Sequence, residues 1–158
     1  MPLRRSQRVW AGQLVPRYLA DTSIWAWAQK AERPDIRERL ADRYEAGEIV
    51  TCVPVVLEAM HRPQTGAQYK ERFDELFAPL ERLSLEDTST ERALAVQREL
   101  AQASSGSHRR PAVDFLIAAV AEAAGPEIVL WCFDRDLKVI CEHTGQPCEP
   151  EESTGPGR

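Results

Sequence analysis

The run Ile128-Val129-Leu130-Trp131-Cys132-Phe133 contains no polar side chain. Alternate residues of a strand point to opposite faces, so a strand with this sequence must bury both. Sheets covered on both faces are the parallel sheets of α/β folds. This segment therefore predicts an inner strand with helices packed above and below it.

The rest of the chain agrees with that frame. Arg17-Tyr18-Leu19-Ala20 reads as a short strand ending at Asp21, Ile49 to Val53 as a β-branched strand, and Leu80 to Leu85 as a third. Helices are predicted over 22–31, 35–46, 55–61, 65–78, 89–103, 112–124 and 135–142. Pro54 and Pro111 suit helix starts, where a missing N–H costs nothing, and Gly47 and Gly125-Pro126 suit helix ends. In the helix over 89–103 the pattern turns Ala93, Leu94, Val96, Leu100 and Ala101 inward. In the helix over 65–78 it places Tyr69, Phe73, Leu76 and Phe77 on one face. Strands alternating with helices give an α/β fold, three layers deep (α/β/α), around a central, mostly parallel sheet. The 158 residues suit one such domain over 17–150, with a loose N-terminal extension over 1–16. The ending EPEESTGPGR is polar and rich in Pro and Gly, and residues 151–158 are expected to form a disordered tail.

Hydrophobic residues make up 43% of the chain, but no apolar run approaches a membrane span, so a cytoplasmic location is expected. The four cysteines then belong to a reducing compartment. Cys52 and Cys132 lie in core strand patterns, with Cys141 and Cys148 nearer the surface. Cys141, His143 and Cys148 do not have the compact spacing of a zinc site. The net charge of −5 argues against a protein that coats nucleic acid non-specifically. No Gly-rich phosphate loop is present, and the histidines at 61, 108 and 143 show no triad spacing.

The informative residues are acids where apolar side chains belong. Asp114 interrupts Pro111-Ala112-Val113-Asp114-Phe115-Leu116-Ile117, a helix apolar on nearly every side. Glu58 interrupts Val55-Val56-Leu57-Glu58-Ala59-Met60 in the same way. A buried carboxylate needs a partner or a shifted pKa. Asp21 and Asp134 each end a strand, and open parallel sheets bind ligands at the carboxyl ends of their strands. Each close pair of such charges costs ~4 kcal/mol at an effective dielectric near 20. A hard divalent cation with oxygen ligands relieves that repulsion, and Mg²⁺ is the usual one.

Other roles remain open for each residue. Asp21 suits a cap for the helix at Thr22, and Asp134 or Asp136 a cap for the last helix. Asp114 has Arg109 and Arg110 nearby as counterions, and Glu58 has His61 and Arg62. Thr22 and Ser23 suit helix capping, or the orientation of a water or phosphate. Arg109 and Arg110 stand where an incoming phosphate would meet the site. Trp25 and Trp27 read as core or partner-facing residues.

Leu19-Ala20-Asp21-Thr22-Ser23-Ile24-Trp25 resembles the opening Asp-Thr-Ser motif of PIN domains. Glu58 is similar to that family's second acid, the stretch Pro111 to Ala119 to its third motif, and Phe133-Asp134-Arg135-Asp136-Leu137 to its fourth. The likeness spans about 17–150, in the right motif order. It departs at Leu137, where an aromatic often stands, and in the extension before Arg17. The chain's small size resembles the VapC toxins of bacterial toxin–antitoxin pairs. The resemblance implies a PIN-like fold and a hydrolase that cuts RNA as a metal-dependent endoribonuclease. Asp21, Asp114 and Asp134 would hold Mg²⁺, with Mn²⁺ as a possible substitute, and Glu58 would ligate or orient the attacking water. Thr22, Ser23 and Asp136 would support the site, and Arg109 and Arg110 would contact RNA. It further implies a homodimer and a cognate antitoxin protein. Two alternatives fit the same residues: a DNA- or structure-specific nuclease, and a non-catalytic binding module.

Overall fold

The structure, a computed structural model, describes residues 9–10, 13–104 and 106–152. Five parallel strands form its centre: β3 (Arg17–Ala20), β4 (Ile49–Cys52), β5 (Glu81–Leu83), β6 (Ile128–Cys132) and β7 (Cys148–Pro150). Their order is β5-β4-β3-β6-β7. The apolar run at 128 thus lies inside the sheet, as its composition demanded. In register, Tyr18 stands beside Ile49 on one side and Val129 on the other.

Seven helices connect these strands: α1 (Thr22–Trp27), α2 (Pro34–Glu45), α3 (Val53–Ala59), α4 (Gly66–Leu76), α5 (Asp87–Ala103), α6 (Ala112–Ala124) and α7 (Arg135–Thr144). Helix α1 packs on α2 and α3, while α6 packs on α5 and α7. The chain steps one way from β3 to β4 to β5 and the other way from β5 to β6 to β7, so the right-handed rule for parallel crossovers assigns the two groups to opposite faces, in three layers. Leu19, Ile24, Ile36, Ile117, Ile128, Leu130 and Leu137 are fully buried between them. Burial of each such side chain stabilises the fold by about 1.5–3 kcal/mol. Gly125 (φ 127°) turns the chain out of α6 toward β6 in a conformation only glycine adopts readily.

Several expectations need correction. Helix α1 stops at Trp27, not at 31. Leu94 is half exposed and Ala101 exposed, so α5 turns inward only Ala93, Val96 and Leu100 of the five residues named for it. Helix α4, started by a reciprocal capping box of Thr65 and Gln68, turns Phe73 and Leu76 onto the core, with Phe77 buried beyond its end, but leaves Tyr69 of the expected face exposed. Cys141 is buried in the core, and Cys148 is half-buried with its Sγ 3.7 Å from that of Cys132. His143 Nε2 lies 2.9 Å from Glu99 Oε2.

One pairing lies within the expected extension, and the first residue of the expected tail bonds back to the sheet. β1 (Val9–Trp10) and β2 (Gln13–Leu14) form a short antiparallel pair. At the other end β7 closes the sheet, and Glu151 is anchored beyond it. The Glu151 N–H donates to Cys132 O at 2.7 Å, and its Oε1 accepts from Trp131 Nε1 at 2.8 Å. Arg33 and Arg39 pair with the same carboxylate. Residues 153–158 of the expected tail lie outside the described residues, as do 1–8 and 11–12 of the extension.

Candidate active site

Strand β3 runs out at Ala20 into Asp21, and β6 runs out through Phe133 to Asp134, side by side in the sheet. The chain leaves β3 toward β4 and β5 and later returns to β6, so these two strand ends flank the point where the topology reverses. Crevices in α/β sheets open at such points. Helix α6 brings Asp114 there in its first turn, and α3 brings Glu58.

Asp21 is 4% exposed and caps α1. Its Oδ2 accepts from Ser23 N at 3.1 Å and from Ser23 Oγ at 2.6 Å. Burial nevertheless holds its pKa above the ordinary value, against the lowering by the Ser23 bonds, and the charge of Glu58 adds to the rise. The Ser23 hydroxyl also accepts from Phe133 N–H at 2.9 Å. One side chain thus ties the end of β3 to the end of β6.

Asp114 is also 4% exposed, and its Oδ2 is buried without a hydrogen-bond partner. Its pKa rises to about 8, chiefly through burial, then through the charges of Asp134, Asp21, Glu58 and Asp136. Neither nearby arginine neutralises it: Arg110 pairs with Asp136, and Arg109 is exposed with no ion pair among the described residues. Asp134 caps α7, its Oδ1 accepting from Asp136 N at 2.7 Å. The capping considered for Asp136 therefore belongs to Asp134, which leaves the Asp136 carboxylate available to Arg110.

Glu58 differs from its expected setting. It is exposed, next to an exposed Leu57, because α3 buries Val55, Val56 and Ala59 and turns residues 57 and 58 outward. Its partner is Thr22, whose Oγ1 donates to Glu58 Oε2 at 2.7 Å, rather than His61 or Arg62.

Carboxylate oxygens of Asp114, Asp134 and Asp136 lie within 4.8 Å of one another, one from each residue. Asp21 stands outside this trio, although its charge and that of Glu58 reach Asp114. Three oxygen donors of a hard-cation set, with one buried oxygen lacking any protein partner, fit a divalent metal. A cleft of about 420 Å³ opens beside Asp134, lined also by Phe133, Arg135 and Lys138. Trp27 stacks on Phe133 at 4.8 Å, and Trp25 is buried, donating to Ala20 O.

Two features escaped the sequence. The Ser23–Phe133 bond joins residues far apart in the chain, and so does the pairing of Arg110 with Asp136. Neither leaves a local spacing to read.

A parallel α/β sheet with carboxylates converging at its switch point, in an arrangement that fits a divalent cation, defines the class of α/β protein. The PIN-domain family profile matches residues 18–142, and the chain belongs to that family. It is 33% identical over 133 residues to "Ribonuclease VapC18" of Mycobacterium tuberculosis (strain ATCC 25618 / H37Rv), covering 84% of this chain and 93% of that protein. It is 32% identical over 136 residues to "Ribonuclease VapC51" of the same organism, covering 84% and 91%. Among solved structures the fold is similar to DNA-bound VapBC from Salmonella typhimurium. The TM-score is 0.66 at 16% identity, over 86% of this chain and 98% of that one. It is also similar to VapBC2 from Rickettsia felis bound to a promoter DNA fragment, with a TM-score of 0.62 at 19% identity, over 85% and 98%.

Proposed function

We propose that this chain is a Mg²⁺-dependent endoribonuclease and the toxin of a toxin–antitoxin pair. The observation that carries the reading is Asp114, a buried carboxylate with an unpartnered oxygen facing four other acids. Only a cation lets such a group lose its proton at neutral pH without a large penalty. The curated relatives with ribonuclease names support RNA as the substrate. The solved VapBC structures support an antitoxin partner.

In this reading Asp21, Asp114 and Asp134 hold Mg²⁺, or Mn²⁺ in its place. The bound ion supplies Lewis acidity at the scissile phosphate and raises the acidity of the attacking water. Glu58, steadied by Thr22, stands at the open side of the site, where it orients that water and accepts its proton. Ser23 keeps Asp21 and the Asp134 loop in register. Arg109, exposed beside the cluster, takes a backbone phosphate of the incoming strand. We assign the catalytic unit to residues 17–150, acting as a homodimer.

The test is cleavage of single-stranded RNA, tRNA and flap DNA by purified protein with Mg²⁺, with EDTA, and with Asp114→Asn. Cleavage of RNA that requires Mg²⁺ and disappears in the variant, with an unchanged circular dichroism spectrum, is the expected result. Preferential cutting of flap DNA moves the assignment to a structure-specific nuclease. No metal-dependent cleavage of any substrate reduces the protein to a binding module.

A further inference from the structure

The nuclease reading leaves one contact unused. Arg110 is the second residue before Ala112, the first residue of α6, and four positions before Asp114. Its Nε donates to Ser107 O at 2.9 Å, which fixes the guanidinium within its own loop. Its NH1 pairs with Asp136. Asp136 needs no such partner for structure, because Asp134 already caps α7. Yet an Asp136 oxygen lies within 4.8 Å of oxygens from Asp114 and Asp134, close enough for all three to meet one cation. The guanidinium thus stands on a carboxylate that completes a cation-binding set.

The pair is easily exchanged. The Asp136 side chain is 37% exposed and that of Arg110 15% exposed. On its open side, that of Asp136, water screens the pair and can replace it. The pair uses a single guanidinium nitrogen, NH1, on one Asp136 oxygen, whereas an incoming phosphate can accept two parallel N–H bonds. Arg109, adjacent and without an ion pair among the described residues, can bring the phosphate to Arg110's position.

We propose that Arg110 is a positioning residue that keeps the Asp136 carboxylate paired, and so unavailable to a cation, until a substrate phosphate takes the guanidinium, whereupon Asp136 completes the set with Asp114 and Asp134 around a divalent ion. This rests on the nuclease reading above. It makes metal and RNA binding mutually reinforcing through a single side-chain exchange.

The experiment is a double-mutant cycle on the full chain with Arg110→Gln, Asp136→Asn and the double variant. Mn²⁺ affinity is measured by titration calorimetry. Binding of a fluorescent single-stranded oligoribonucleotide is measured in EDTA, where cleavage is off. Arg110→Gln is expected to tighten Mn²⁺ about tenfold in the wild-type background and by less than about twofold in the Asp136→Asn background, a coupling typical of contacting residues. Asp136→Asn is expected to tighten the oligoribonucleotide about fivefold when Arg110 is present and hardly at all when it is Gln. Addition of the oligoribonucleotide is expected to tighten Mn²⁺ in the wild type but not in Arg110→Gln. Equal effects in both backgrounds reflect bulk electrostatics and overturn the exchange while leaving the nuclease reading intact. Absence of Mn²⁺ binding from every variant overturns both. Should Arg110→Gln fail to fold, the oligoribonucleotide comparison of Asp136→Asn with Asp134→Asn decides. Both remove one charge, but only the former frees Arg110, so equal tightening defeats the proposal.

Discussion

Replacing Asp114 by Asn should make the metal-free protein more stable, by an amount that grows with pH. In the folded chain Asp114 titrates at about 8, against an ordinary value of 3.8. Below pH ~4 folded and unfolded chains both hold the proton, and the residue carries no penalty. Between there and pH ~8 only the folded chain keeps it, so stability falls by about 1.4 kcal/mol per pH unit. Above pH ~8 the loss levels off at roughly 6 kcal/mol, an upper bound because Asp114 is electrostatically coupled to the acids around it. Asn has nearly the same shape and no proton to lose. Asp114→Asn is therefore expected to gain up to about 5 kcal/mol at pH ~8 and less than about 2 kcal/mol at pH ~5. For a chain of this size the larger figure raises Tm by about 10 °C or more. The assay is thermal and urea unfolding of both proteins in EDTA across that pH range. In Mg²⁺ at about a hundred times its Kd the wild type should recover ~2.7 kcal/mol, and the variant should not respond. Parallel pH dependence of the two proteins, or a wild type more stable than the variant at pH ~8, would refute the reasoning.

Three further outcomes follow from the same contacts. Ser23→Ala removes the hydroxyl shared by Asp21 and Phe133 N–H and should cost about 2 kcal/mol in urea unfolding; an unchanged midpoint would mean β3 and β6 are joined without it. Thr22→Val frees Glu58 and should slow RNA cleavage about tenfold with Tm unchanged, whereas full activity would show that Thr22 does not set the position of Glu58. Glu151→Ala leaves the fully buried Trp131 indole N–H without its acceptor. It should destabilise the chain by about 1–3 kcal/mol, and no loss would show that the contact beyond β7 is incidental to the fold.

How much of this was legible beforehand depended on whether the signal was local. The run at 128 fixed an inner parallel strand because two-faced burial has one solution in a sheet. β7 was missed because Cys148-Glu149-Pro150 is short, polar and ends in proline; it becomes a strand only through its place beside β6. Asp114 stood out because its burial could be read from its own helix. Glu58 was found for a reason the structure does not support, since α3 turns Leu57 and Glu58 outward. Periodicity over a seven-residue helix is too short to tell its faces apart. The exposure of Leu94 and Ala101 on α5 has a similar origin: an apolar face at helical spacing shows which side can be buried, not how far a neighbour covers it.

Helix capping and cation binding looked like competing roles for Asp21 and Asp134, and the structure makes them compatible. Asp21 caps α1 through Oδ2 and Asp134 caps α7 through Oδ1. Each cap engages only one oxygen of its carboxylate. Asp114 sits in the first turn of α6, so each of these three acids lies at the positive end of a helix, where an anion is favoured by about 0.3–1 kcal/mol. Such terms allow carboxylates to gather at one switch point, yet they fall short of what full ionisation requires. The shortfall is the rise of the Asp114 pKa to about 8. A cation that lets Asp114 ionise relieves that strain on binding, so the electrostatic cost of assembling the site becomes the driving force for filling it.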